Sequence, residues 1–116
     1  MRHRSNVKKL NRPKDQRVSL IRNLLKSMVK HETINTTEAR YKVLRSHFDK
    51  LINTAKADDN TAVRRLFAIL RDKELCDKTI EMARKYDSKN SGYLKVYKLD
   101  NRKGDNAKMV RVELTK

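Results

Sequence analysis

The sequence predicts an α+β domain: about four helices packed around a small mixed three-stranded sheet, with a basic N-terminal extension. Three observations carry this expectation. Apolar residues recur at spacings of three and four through most of residues 15–85. Short runs that are β-branched or alternate apolar with polar residues interrupt and follow that region. Met1 to Arg17 carries seven Lys or Arg against a single acid, Asp15. At 116 residues the chain divides into a basic arm, residues 1–14, and one folded unit, residues 15–116.

Pro13 marks the edge of the arm. The first helix spans Asp15 to His31, where Val18, Ile21, Leu25, Met28 and Val29 form one face with Arg17, Arg22, Lys26 and Lys30 interleaved. Thr33 to Thr36 is β-branched and reads as a brief strand. Thr36 or Thr37 caps the next helix, and Glu38 suits its positive end. That helix carries Ala39, Val43, Leu44, Phe48, Leu51, Ile52 and Ala55 inward, with Arg40, Lys42, Arg45, Lys50 and Lys56 opposite. Asp58-Asp59-Asn60 ends it and caps a third helix, whose buried face is Val63, Leu66, Phe67 and Leu70. A fourth, from Asp72 to Lys85, turns Leu75, Cys76, Thr79, Ile80 and Ala83 inward. After a polar loop from Asp87 to Gly92, Leu94, Val96 and Leu99, then Val110, Val112 and Leu114, mark two strands. Between them, Asp100 to Asn106 is a hairpin loop with Arg102 and Lys103 at its tip.

Thirty Lys and Arg against fourteen Asp and Glu give a formal charge of +16, of which residues 1–31 hold +9. A charge of this size opposes the compact state by self-repulsion and makes polyanions the expected partners. The arm buries almost nothing and has no reason to fold alone. Each of its cations set against a phosphate releases condensed counterions, so it reads as an arm that orders on nucleic acid. On the helices, Lys42, Lys50 and Lys56 are as readily a solvated face. No apolar run approaches a membrane span, and no apolar secretory core follows the N-terminal charges. Cys76 stands alone and reads as core filling, which fits a reducing cytoplasm.

Enzyme chemistry is disfavoured. His3, His31 and His47 make no helical metal pair, the glutamates are scattered, and Gly92 and Gly104 cannot form a phosphate loop. No cofactor, metal or small-molecule substrate is implied. Tyr41, Tyr86, Tyr93 and Tyr97 do not follow the pattern of base-stacking sheets, and no zinc finger or basic zipper appears. Recognition of shape and phosphate by an arm plus a domain surface suits folded RNA better than base-by-base readout of a duplex. Two rivals stand beside this: a nucleoid or regulatory DNA-binding protein, and an RNA-processing enzyme using His31 and His47.

Met1-Arg2-His3-Arg4, Leu10-Asn11-Arg12 and Leu20-Ile21-Arg22-Asn23-Leu24 resemble the opening of the bacterial large-subunit ribosomal protein seventeen family. Ile34 to Arg40, Leu44-Arg45, Leu51 to Lys56, Val63 to Leu66, Gly92-Tyr93 and Arg102 to Asp105 continue the likeness in order, over essentially the whole chain. The resemblance implies a cytoplasmic structural protein of the large ribosomal subunit, bound to its rRNA near the peptide exit tunnel. It implies rRNA contacts at Arg2, His3, Arg4, Lys8, Lys9, Arg12, Arg17, Arg22, Asn23, Arg40, Arg102 and Lys103. Its partners would be large-subunit rRNA and neighbouring ribosomal proteins, with no membrane and no homo-oligomer within the ribosome. The chain departs from the family at Asn11 and Ser91, where Gly is usual, and at Gln16, where His is usual. Asn tolerates a left-handed backbone better than most residues, so Asn11 is expected to keep the turn.

Overall fold

Pro13 precedes the first helical residue, where its fixed φ of −58° costs nothing. In the computed structural model, which describes residues 9–57 and 59–115, α1 is Lys14–His31. Asp15 in its first turn and Lys30 and His31 in its last suit the helix dipole. Strand β1, Thr33–Thr37, leads into α2, Glu38–Lys56, and the Thr37 hydroxyl accepts the Arg40 amide at 3.4 Å. Helix α3, Asn60–Leu70, is capped by Asp59, which accepts the Ala62 amide at 2.7 Å. Helix α4, Lys73–Lys85, is capped by Asp72 through the Glu74 amide at 2.9 Å. Strands β2, Leu94–Lys98, and β3, Met109–Leu114, follow.

The four helices and three strands form the expected α+β fold, with one correction to the sheet. Its order is β1-β3-β2 and both pairings are antiparallel, so it is not mixed. The hairpin makes β2 antiparallel to β3, and β1 pairs the other edge of β3 in the same sense. The two outer strands are therefore parallel but never touch. Val112 lies at the centre, facing Ile34 on one side and Val96 on the other.

The core runs through Leu25, Met28, Leu44, Phe48, Leu51, Ile52, Leu66 and Leu70, with Val110 and Val112 from the sheet. Four expected core positions are instead open: Val18 at 38%, Val63 at 42%, Phe67 at 52% and Val96 at 40% exposure. In α3 the buried row is Ala62, Leu66 and Leu70, and Val63 and Phe67 stand one residue, about 100°, further round. Val96 lies on an edge strand of which only Leu94 is buried. Ala39 also faces solvent, while Leu24, Tyr41, Met82, Tyr86 and Tyr93 join the core.

Tyr93 is fully buried and ties the loop after α4 to α2. Its hydroxyl accepts from Lys56 Nζ at 2.7 Å and lies 2.6 Å from Asn53 Oδ1 and 2.7 Å from the Lys89 carbonyl, one of which takes its proton. Lys56 also donates to the Lys89 carbonyl, and Asn53 Nδ2 to that of Asn90 at 3.1 Å. The Tyr93 carbonyl accepts the Thr115 amide at 2.9 Å, and the Tyr86 hydroxyl donates to the Thr115 carbonyl at 2.5 Å. Burial pushes the Tyr86 phenol pKa up. No buried side-chain nitrogen or oxygen among the described residues lacks a partner. Gly92 turns into this loop at φ +70°, whereas Ser91 needs no positive φ, so its departure from glycine is harmless.

Several turns are made without glycine. Glu32 ends α1 at φ 63° and Arg71 ends α3 at φ 53°, the latter donating its amide to the Phe67 carbonyl at 2.8 Å. A left-handed backbone strains an L-residue with a side chain. Replacing Arg71 with Gly is expected to raise stability by about 0.5–1 kcal/mol in urea unfolding. Tyr93→Phe is expected to act oppositely, lowering stability by about 1–3 kcal/mol, because Lys56 and Asn53 lose a buried partner. Thermal unfolding of both variants beside the parent checks the two signs.

Candidate nucleic-acid interface

The described residues among those singled out above fall into two groups, one on α1 and the turn before it, the other at the start of α2 and in the β2–β3 loop. Arg2, His3, Arg4 and Lys8 lie outside the described residues. Lys9 and Arg12 bound a tight turn in which the Arg12 amide donates to the Lys9 carbonyl at 3.0 Å. Both central residues are left-handed, Leu10 at φ 52° and Asn11 at φ 55°. Two positive φ values make this a type I′ turn, and Asn11 holds the conformation expected of it. The turn delivers the chain to α1, whose first turn carries Arg17 and whose exposed side carries Asn23.

Arg22 sits further along α1, half-buried, where the stretch from Val18 to Leu25 lies beside His47 to Thr54 of α2. A groove of about 230 Å³ opens between these segments and α3, with Arg22, Lys50 and His47 at its edge. Burial, then the Lys50 charge, lowers the His47 pKa from its ordinary value. His47 is therefore neutral at pH 7 and offers hydrogen bonds rather than charge. Lys50 and Thr54 also line an adjoining cavity of about 540 Å³ that reaches Asn53 and Arg65.

The second group gathers at the other end of α2. The Glu38 amide donates to the Lys108 carbonyl at 3.0 Å, which docks the β2–β3 loop onto the start of the helix. Lys42 therefore shares a surface with Lys108, in the loop that carries Arg102 and Lys103, and Arg40 lies in the first turn of the same helix. Arg40 and Lys50 are ten residues apart on one helix, so the two groups are separated by roughly 15 Å along its axis.

Among the described residues, no carboxylate engages Lys9, Arg12, Arg17, Arg22 or Arg40. Arg102 is different. Its Nε and Nη2 grip the two oxygens of Asp105 at 3.1 and 2.5 Å, and Asp105 also accepts the Ala107 amide at 3.2 Å. The pair holds the loop in shape and leaves Lys103 as the uncommitted cation at its tip. Lys56 is not part of a solvated face either, because the Tyr93 cluster consumes its ammonium. Sequence reading did not separate Lys50 from the solvated lysines, since its place on the groove depends on how α1 and α3 meet α2. His31 ends α1 exposed, and burial pushes the Cys76 thiol pKa up, which makes it unreactive.

The Arg102 guanidinium and the Ala107 amide hold the Asp105 carboxyl down at about 2. A depressed carboxylate keeps its pair from neutral pH downward and releases it only as the pH falls through that value. In a carboxyl-detected NMR titration Asp105 is expected to turn over near pH 2, and to move up toward the ordinary 3.8 in the Arg102→Gln variant, where the Ala107 amide still holds it below that value.

The chain is similar to known proteins over almost its whole length. Residues 20–115 match the family described as Ribosomal protein L17. The chain is 41% identical over 115 residues to a protein named Large ribosomal subunit protein bL17 from Campylobacter concisus, covering 98% of each chain. Proteins of the same name from Desulforapulum autotrophicum and a Sulfurovum species are also 41% identical over 115 residues, spanning 98% of this chain and 96% and 99% of theirs.

Proposed function

The chain belongs to the ribosomal protein L17 family, and from that premise we propose that it binds and stabilises large-subunit rRNA near the exit of the nascent-peptide tunnel. It is a structural constituent of the large ribosomal subunit, in the cytoplasm, and not an enzyme. Its partners there are rRNA and neighbouring ribosomal proteins.

The observation that carries the rRNA reading is the concentration of uncommitted cations where the chain enters its fold. Residues 1–31 hold +9 of the +16 charge, and Arg12, Arg17 and Arg22 meet no carboxylate among the described residues. Guanidinium groups fork onto phosphate oxygens, while lysines act as mobile point charges. In this reading the arm, residues 1–14, reaches into RNA and the domain, residues 15–116, fixes where it starts. Arg40 and Lys103 extend the contact at the other end of α2, and Arg102 joins it by exchanging Asp105 for phosphate.

Binding of the full chain to a large-subunit rRNA fragment is expected to weaken steeply with salt. About seven phosphate contacts give a log–log slope on the order of −5 to −6. Deleting residues 1–12 is expected to leave thermal stability nearly unchanged, make the slope shallower and reduce incorporation into the subunit. A flat slope, or tighter binding to duplex DNA than to the rRNA fragment, would contradict the proposal.

A further inference from the structure

The groove between α1, α2 and α3 has a chemical character that backbone neutralisation does not need. Its walls are Val18, Ile21, Leu25, Leu51 and Ile69, from three different helices. Val18 is 38% exposed at its mouth, so the apolar surface is open to a ligand. Its edge carries Arg22 and Lys50 and no carboxylate. We propose that this groove receives one unstacked nucleobase of the bound RNA, with Arg22 and Lys50 on the phosphates that flank it. The proposal rests on the RNA-binding reading above and names a site within it.

A nucleotide joins a flat, weakly polar body to an anion on each side, which is the pattern the groove offers in reverse. Sequence-specific contacts to RNA favour loops and bulges, whose bases can leave the stack. Apolar walls take the faces of such a base, and His47 in the same lining offers ring nitrogens to its edge. The adjoining cavity shares Lys50 and Thr54 and adds Arg65 for a neighbouring phosphate, while its one carboxylate, Asp59, is engaged by the Ala62 amide. Charge also argues against self-occupancy. The charges of Arg2, Arg4, Lys8 and Lys9 would be repelled by a rim already positive, and a second copy of the chain brings another +16.

The test compares two short RNA duplexes of the same sequence, one fully paired and one with a single bulged nucleotide, against the full-length protein. The bulged RNA is expected to bind about tenfold tighter, the gain that burying one base supplies. Val18→Phe fills the mouth and is expected to bring the ratio of the two affinities to one, with circular dichroism reporting that the variant folds. Methyl NMR of the unaltered protein gives a second reading, in which the Ile21 and Ile69 signals shift with the bulged RNA and not with the paired one. Equal affinities and unmoved methyls would overturn the groove assignment alone. Failure to bind either RNA would overturn the RNA-binding reading and the groove with it. Methyl shifts with an acidic Glu–Leu peptide, but not with bulged RNA, would give the groove to a protein partner and overturn the proposal.

Discussion

The buried hydroxyl of Tyr93 is the interaction on which the rest of the molecule turns. It joins α2, through Asn53 and Lys56, to the loop after α4, through Lys89, while the Tyr93 carbonyl takes the Thr115 amide just beyond β3. A tyrosine can do this because its ring fills the core while its polar tip must find partners there. The Tyr86 ring packs at a tilt against that of Tyr93, centroids 5.1 Å apart, and its hydroxyl fastens Thr115 as well. β2 starts one residue beyond Tyr93, so this cluster fixes the hairpin in place. The hairpin loop then meets the start of α2 at Lys108 and Glu38.

That scaffold accommodates a large positive charge by keeping it on the surface. Cations line the first helix, the outer side of the second and the hairpin loop, and the core is built from aliphatic and aromatic side chains. Two ion pairs are local: Glu38 and Lys42 lie 3.7 Å apart across one turn, and Asp105 holds the loop through Arg102. Exposed pairs of this kind add little stability. The uncommitted guanidinium groups are what a polyanion finds.

Periodicity made the elements legible. The three- and four-residue spacing located every helix, Asp59 caps α3 within the expected Asp58-Asp59-Asn60 break, and alternation found both C-terminal strands. Pattern could not tell which apolar residues at a face's edge stay covered, so Phe67 and Val63 read as core although α3 rests on Leu66 and Leu70. Strand sense was equally hidden, since pairing depends on which strand takes the centre. The Tyr93 cluster was invisible because Asn53, Lys56 and Lys89 look like ordinary surface residues until the loop folds over α2. In the interface, composition found the cations but not which were already occupied: Arg102 by Asp105, Lys56 by Tyr93.

The placement of β3 has a consequence for biogenesis. The strand that both neighbours hydrogen-bond to is the last described element to be translated, and its partner β1 lies some seventy-five residues earlier. Closing so long a loop is entropically slow, and it cannot begin until Met109–Leu114 has been made. During synthesis the helices can therefore condense while β1 waits with its edges unpaired. Synthesis of Met109–Leu114 supplies the central strand, and a nascent chain stalled before it leaves the sheet unassembled.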